Sequence, residues 1–326
     1  MQHTALPTLT REGQNMRGAS MAARLASFVR LPHTLFALPF AGVGAILASY
    51  RFAGNVSGAA IFWIVVAFTA ARFAAMGFNR IVDRHLDALN PRTQRRELPA
   101  GRLSLLQAVA AVAAAALVFV FAAFQLNPVC GWLSPVALAW TFFYSYTKRF
   151  SALAHAVLGL SLGIAPVGAY LAIAGQWSEP VWALPLLAVA VMLWVAGFDI
   201  VYALQDIEVD RAQRLHSVPA WLGVRRALLV ARAVHTASVL CFLAIVVLRA
   251  FPVHWLFALA VALMGGLLYY EHTVVTPGKR TDLAELPSHP ELAPDVQSID
   301  RAFFRVNVWV STSFFLFALL DRILLA

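Results

Sequence analysis

Residues 181–206 read VWALPLLAVAVMLWVAGFDIVYALQD, and no ionisable side chain appears before Asp199. A helix crossing the hydrocarbon core of a bilayer needs about 20 mostly apolar residues. This run therefore predicts a membrane-spanning helix that becomes acidic only towards its end. Working outward, eight further stretches of the same kind lie near 33–50, 58–83, 103–124, 131–147, 152–174, 224–248, 252–270 and 303–324. The composition agrees: of 326 residues 61% are hydrophobic and 13% charged, with a mean hydropathy of +0.74. An ordinary soluble domain carries about 45–50% apolar and about 25% charged residues. A soluble enzyme, a disordered chain and a nucleic-acid-binding module are all excluded on this ground. The expected fold is all-α, a polytopic membrane protein of nine transmembrane helices.

The cations give the topology. The chain has 25 Lys and Arg against 16 Asp and Glu, a net charge of +9. With nine spans and a cytoplasmic N-terminus, the N-terminal tail and the even-numbered loops collect nearly all the positive residues outside the spans. Only Arg51, Arg249 and Arg322 fall on the other side. Cytoplasmic loops carry such an excess, so the C-terminus is expected outside and the protein in the cell (inner) membrane. Residues 1–20 lack the apolar run of a signal peptide and are expected to form a flexible cytoplasmic tail. Residues 21–326 then make one domain, and 271–302, rich in Pro and acids, form a loop between the last two spans. Cys130 and Cys241 have no CxxC or His partner and are expected to pack.

Two acidic stripes carry the chemistry. Arg72, Asn79, Asp83 and Asp87 end the second span, and Asp199, Tyr202, Asp206 and Asp210 end the sixth. At about 100° per residue each set falls on one helix face, and the span count puts both at the cytoplasmic side, facing each other. Glu208 points off its stripe. Ionisable residues in or beside membrane helices are costly and mark function by default. Oxygen ligands without Cys or His suit a hard divalent cation such as Mg2+. Arg80, Arg84, Arg92, Arg95, Arg96, Lys148 and Arg149 crowd the same place, as phosphate clamps would. A diphosphate on a lipid tail fits both features, with its charge at the acids and its hydrocarbon in the bundle. Most loop arginines taken singly, among them Arg95, Arg96, Arg102, Arg211 and Arg214, read as topological, and His33, His155 and His235 as packed or interfacial. An ion-coupled transporter also uses intramembrane acids, but its sites usually lie near the midplane at broken helices.

On these residues the chain resembles the UbiA superfamily of intramembrane prenyltransferases. Asn79, Asp83 and Asp87 match its NxxxDxxxD motif; Asp199, Tyr202, Asp206 and Asp210 match DxxYxxxDxxxD. HTLFALPFA (33–41), FNRIVDRHLDALNPRTQRRELPAG (78–101), YSYTKRF (144–150) and GFDIVYALQDIEVDRAQRLHSVPAWLG (197–223) place the resemblance in the 4-hydroxybenzoate polyprenyltransferase-like branch, which includes the menaquinone enzyme of the futalosine route. Arg80, where many 4-hydroxybenzoate enzymes have an acid, and His216 before Ser217, where they have a lysine, fit the naphthoate type. The resemblance implies nine helices around a central cavity and transfer of a polyprenyl group from polyprenyl diphosphate to an aromatic carboxylic acid. Haem O, chlorophyll and lipid enzymes are the other members of the superfamily to weigh. It implies Mg2+ held by Asp83, Asp87, Asp206 and Asp210 with Asn79, diphosphate contacts from Arg84, Arg92 and Lys148, and Asp199 and Tyr202 orienting the acceptor or taking its proton. Arg72, deeper on the first stripe, is expected to pair with the acceptor carboxylate.

Overall fold

The structure, a computed structural model, describes residues 20–30, 34–275, 299 and 305–326. Most of the expected tail and of the 271–302 loop, His33, and the cations Arg11, Arg17, Lys279, Arg280 and Arg301 lie outside the described residues. Among the described residues there is no strand. In chain order the helices are α1 (Met21–Phe28), α2 (Thr34–Phe52), α3 (Gly58–Val82), α4 (Arg84–Leu89), α5 (Leu105–Leu126), α6 (Pro128–Thr147), α7 (Ala154–Ala174), α8 (Ala183–Ala203), α9 (Ile207–Ala212), α10 (Val218–Val247), α11 (Trp255–Val274) and α12 (Asn307–Leu325). Seven of the described helices are long and apolar enough to cross a membrane, so the chain is a multi-pass membrane protein.

Local chemistry sets the ends of these helices. Ser57 caps α3 by accepting from the Ala60 amide at 3.1 Å. Ser104 and Gln107 form a reciprocal capping box on α5, and Asn127 caps α6 ahead of Pro128. Such caps satisfy amides that have no partner inside the helix. The seventh span was expected to begin at 224, but α10 starts six residues earlier, capped by Ser217. Gly223, at φ +74°, sits where helical geometry breaks inside α10, a conformation glycine adopts without a Cβ clash.

The long helices pack as two circuits sharing the α2–α7 pair. One runs α2–α7–α8–α10–α11–α12 and back to α2; the other runs α2–α3–α5–α6–α7. The first is filled by aromatic side chains. The Phe40 ring centre lies 4.8 Å from that of Trp194 and 5.4 Å from that of Phe314, both tilted, and Phe242 lies 4.8 Å from Phe314. The second holds an apolar cavity of about 470 Å3 lined from α2, α3, α5, α6 and α7. The space expected at the centre of nine helices thus lies in one circuit, because large rings plug the other. Small residues let the shared helices approach closely. A Cβ on Gly44 would lie 1.9 Å from the Pro166 carbonyl oxygen, and one on Gly163 would lie 2.5 Å from that of Ala188. Close backbone contact at small residues is how membrane helices commonly associate.

Candidate active site

Neither acidic stripe runs along a single straight helix. The first bends at Asp83, the junction of α3 and α4, yet the Asp83 amide still donates to the Asn79 carbonyl and the Asp87 amide to the Asp83 carbonyl, both at 2.8 Å. The second passes through a 3-10 turn, Leu204–Asp206, between α8 and α9. Helical spacing survives the first bend, whereas the turn re-aims Asp206 relative to Asp199.

Each motif carboxylate has a specific partner. Asp83, only 2% exposed, accepts from Lys148 Nζ at 2.5 Å, Arg149 Nη2 at 2.9 Å and Asn79 Nδ2 at 3.2 Å. Both oxygens of Asp87 receive Arg96 Nη1, at 2.8 and 2.9 Å. Asp206 receives Arg92 through two parallel bonds, Nε at 3.0 Å and Nη2 at 2.6 Å, and Asn90 Nδ2 at 3.1 Å. Arg92 also donates to the Tyr202 hydroxyl at 3.1 Å, with its guanidinium 5.4 Å from that ring's centre. Asp210 accepts from Ser217 Oγ at 2.7 Å. Asp199 faces His155 Nδ1 at 2.7 Å, while His155 Nε2 accepts from the Val218 amide at 3.2 Å. A carboxylate placed this deep is tolerated only when paired or hydrogen-bonded, and the fork–fork Arg92–Asp206 geometry is the strongest form of such pairing.

The two stripes therefore meet. Asn90 and Arg92, from the segment after α4, hold Asp206 from the segment after α8, so both acidic segments form one surface. Of the residues expected to clamp phosphate, Arg92 and Lys148 stand on these acids. Arg84 does not: its Nη1 donates to the Ile81 carbonyl at 2.9 Å. Arg96 and Arg149 take places that sequence reasoning did not single out for them, and His155, read as packed, holds Asp199. Arg80 pairs with buried Glu97 at 3.0 Å, and Glu97 also accepts from Ser27; this tie joins α1, α3 and the loop before α5. Glu208 is exposed, as expected. Cys130 is buried, Cys241 half-buried, and both are free thiols.

The apolar cavity reaches this surface through Asn79, which lines it together with Arg72, Trp140 and Tyr144. Trp140 Nε1 is buried with no hydrogen-bond partner among the described residues. Among the described residues no three acidic, His or Cys side chains stand together as a metal cluster; Asp83, Asp87 and Asp206 stand on separate cations and Asp210 on Ser217. The donor set of Asp83, Asp87, Asp206, Asp210 and Asn79 is nonetheless all oxygen, which suits a hard divalent cation such as Mg2+.

These features define a helical membrane protein with a paired acid–cation surface at the mouth of an apolar cavity, the build of an enzyme acting on a lipid with a charged head. Residues 37–287 match the UbiA prenyltransferase family, and the chain belongs to that family. It is 29% identical over 234 residues to the 4-hydroxybenzoate octaprenyltransferase of Cupriavidus necator, covering 70% of this chain and 78% of that one. Its fold is similar to the apo structure of a UbiA homolog from Aeropyrum pernix K1 (TM-score 0.74, 32% identity, 89% of this chain and 98% of that one). It is also similar in fold to a UbiA homolog from Archaeoglobus fulgidus bound to DMAPP and Mg2+ (TM-score 0.65, 19% identity, 93% and 100%).

Proposed function

We propose that the chain transfers a polyprenyl group from polyprenyl diphosphate to an aromatic acid, of the 4-hydroxybenzoate or 1,4-dihydroxy-6-naphthoate type, in ubiquinone or menaquinone biosynthesis with Mg2+ as cofactor. The observation that carries this reading is the pairing of Asn90 and Arg92 with Asp206, which unites both aspartate motifs at the polar end of an apolar cavity. The named relative and the DMAPP- and Mg2+-bound neighbour support it.

Asp83, Asp87, Asp206 and Asp210, with Asn79, would hold the metal, which supplies positive charge to the departing diphosphate. Lys148, Arg149, Arg92 and Arg96 already stand on those carboxylates and are the residues placed to bind phosphate oxygens once the acids take up metal. The aliphatic and aromatic cavity wall holds the isoprenoid and keeps water from the allylic cation formed when its C–O bond breaks. Arg72 and Trp140 Nε1 offer the acceptor carboxylate two donors in a mostly apolar wall. Asp199, fixed by His155, and Tyr202 orient the acceptor or receive the ring proton after attack. Residues 21–326 act as one nine-span domain in the cell inner membrane, N-terminus cytoplasmic and C-terminus outside, consistent with the loop cations standing at the aspartate end of the bundle.

The test is product mass after incubation with Mg2+, a short prenyl diphosphate and both acceptors, beside an Asp83→Ala control. A prenylated acid absent from the control supports the reading, and its mass names the acceptor. No product with either acid overturns the aromatic-acid assignment and favours the lipid, chlorophyll or haem O chemistry of the superfamily.

A further inference from the structure

A second polar site lies away from the aspartates, in a cleft between α10 and α11. The cleft has a volume of about 400 Å3, and its polar lining comes from Arg232, Thr236 and His235 on α10 and Tyr269, His272 and Thr273 on α11. Both helices are apolar enough to cross a membrane, so these side chains are costly there unless something uses them.

The hydrogen bonds fix what the cleft lacks. His235 Nε2 stands 3.1 Å from the Trp194 carbonyl, which only accepts, so in the neutral ring that nitrogen carries the hydrogen. His235 Nδ1 is then an acceptor for His272 Nε2 at 3.0 Å. This leaves His272 Nδ1 as a bare lone pair, buried and with no partner among the described residues. Arg232 is exposed, and among the described residues it makes no hydrogen bond or ion pair. The cleft thus presents one unmatched cation and one unmatched acceptor side by side.

Its place in the bundle narrows the ligand. α10 starts at Ser217, beside Asp210, and runs away from the acidic end; α11 packs against it and returns. His272 is in the last turn of α11, so the cleft opens towards the same membrane face as the aspartates, within reach of an arginine extending to headgroup level. From this we infer that the cleft binds a glycerophospholipid whose headgroup carries a hydrogen-bond donor beside its phosphodiester, as ethanolamine and glycerol headgroups do and choline does not. The phosphodiester sits on Arg232 and Thr236, and the ammonium or hydroxyl donates to His272 Nδ1. Basic pockets between membrane helices take lipid headgroups in this way, and the donor requirement is the contribution of the histidine pair.

Native mass spectrometry of the purified full-length protein, titrated with phosphatidylethanolamine, phosphatidylglycerol and phosphatidylcholine of matched chains, tests this. The first two lipids should bind about tenfold tighter than the third, the effect of one hydrogen bond to a buried acceptor. Arg232→Gln should weaken all three, and His272→Phe should abolish the preference while leaving residual binding. Thr236→Val, which preserves volume, should weaken all three less than Arg232→Gln and keep the preference, so the phosphodiester contact is tested even if the histidine variant does not fold. Equal affinity of the wild type for the three lipids, or unchanged binding by Arg232→Gln, overturns the inference. Displacement of bound lipid by millimolar inorganic phosphate also overturns it, making this a soluble-phosphate site. Prenyl transfer by Arg232→Gln in detergent should stay at the wild-type level, so this inference and the proposed function fail separately.

Discussion

Arg72 lines the cavity about two turns below the motif asparagine, in a wall it shares with Trp140. If it receives the acceptor carboxylate, Arg72→Ala should raise the acceptor KM about tenfold or more, the scale of a charge-assisted hydrogen bond, and leave the prenyl diphosphate KM nearly unchanged. Steady-state kinetics with each substrate varied in turn checks this, and equal effects on both remove the assignment. His155 makes a different prediction. Its Nδ1 holds Asp199 and its Nε2 holds the start of α10, so His155→Phe should lower kcat about tenfold while changing the prenyl diphosphate KM little. An unchanged kcat would mean that Asp199 needs no fixed orientation. At this scale the aspartates were legible because carboxylates repeating every turn at a span's end are too costly to stand there without a ligand or a partner. Arg96, Arg149 and His155 were not, since a loop arginine that binds an acid looks identical to one that sets topology, and His155 acquires its partner only when α7 packs against α8.

Among the elements, α11 shows a cap supplied from another helix. Its N-cap residue, His254, makes no side-chain cap bond. Instead Asp321, fully buried near the end of α12, accepts from the amides of His254 at 2.9 Å and Phe257 at 3.0 Å, and from the Tyr50 hydroxyl at 2.5 Å. Asp321→Ala leaves those donors without a partner in an apolar setting, so it should destabilise the fold by about 1–3 kcal/mol. A clear drop in thermal unfolding temperature in detergent, with Mg2+ binding intact, is the expected result. The packing glycines predict likewise: Gly163→Ala must push α7 off the Ala188 carbonyl and should lower the same unfolding temperature. The apolar runs placed the described long helices to within a few residues, α10's start excepted, but missed the bend at Asp83 and the 3-10 turn at Leu204–Asp206. Both bends serve contacts between distant segments, and the pattern within one segment carries no trace of them.

For the molecule as a whole, the expected ring and cavity resolve into a filled circuit and a hollow one sharing α2 and α7. The division was unreadable in advance because long apolar helices build both halves; whether rings interlock or leave space depends on how helices meet. The proposed Mg2+ dependence belongs at this scale, since it draws on acids from both halves. Prenyl transfer should vanish on chelation with EDTA and return with added Mg2+, without unfolding, because Lys148, Arg149, Arg92 and Arg96 neutralise buried acids in the metal-free protein. Loss of fold on chelation, followed by circular dichroism, would contradict that role for the four cations.

The contacts at Gly44 and Gly163 bear on how a long isoprenoid enters. Where α2, α7 and α8 touch backbone to backbone, no side chain can swing aside to make room. Those three helices form a stiff spine, and whatever breathing admits the substrate falls to α3, α5 and α6 on the opposite wall, where Leu133 and Val136 line the cavity. Tail-length tolerance should accordingly be adjusted by substitutions on that wall, while the spine stays fixed.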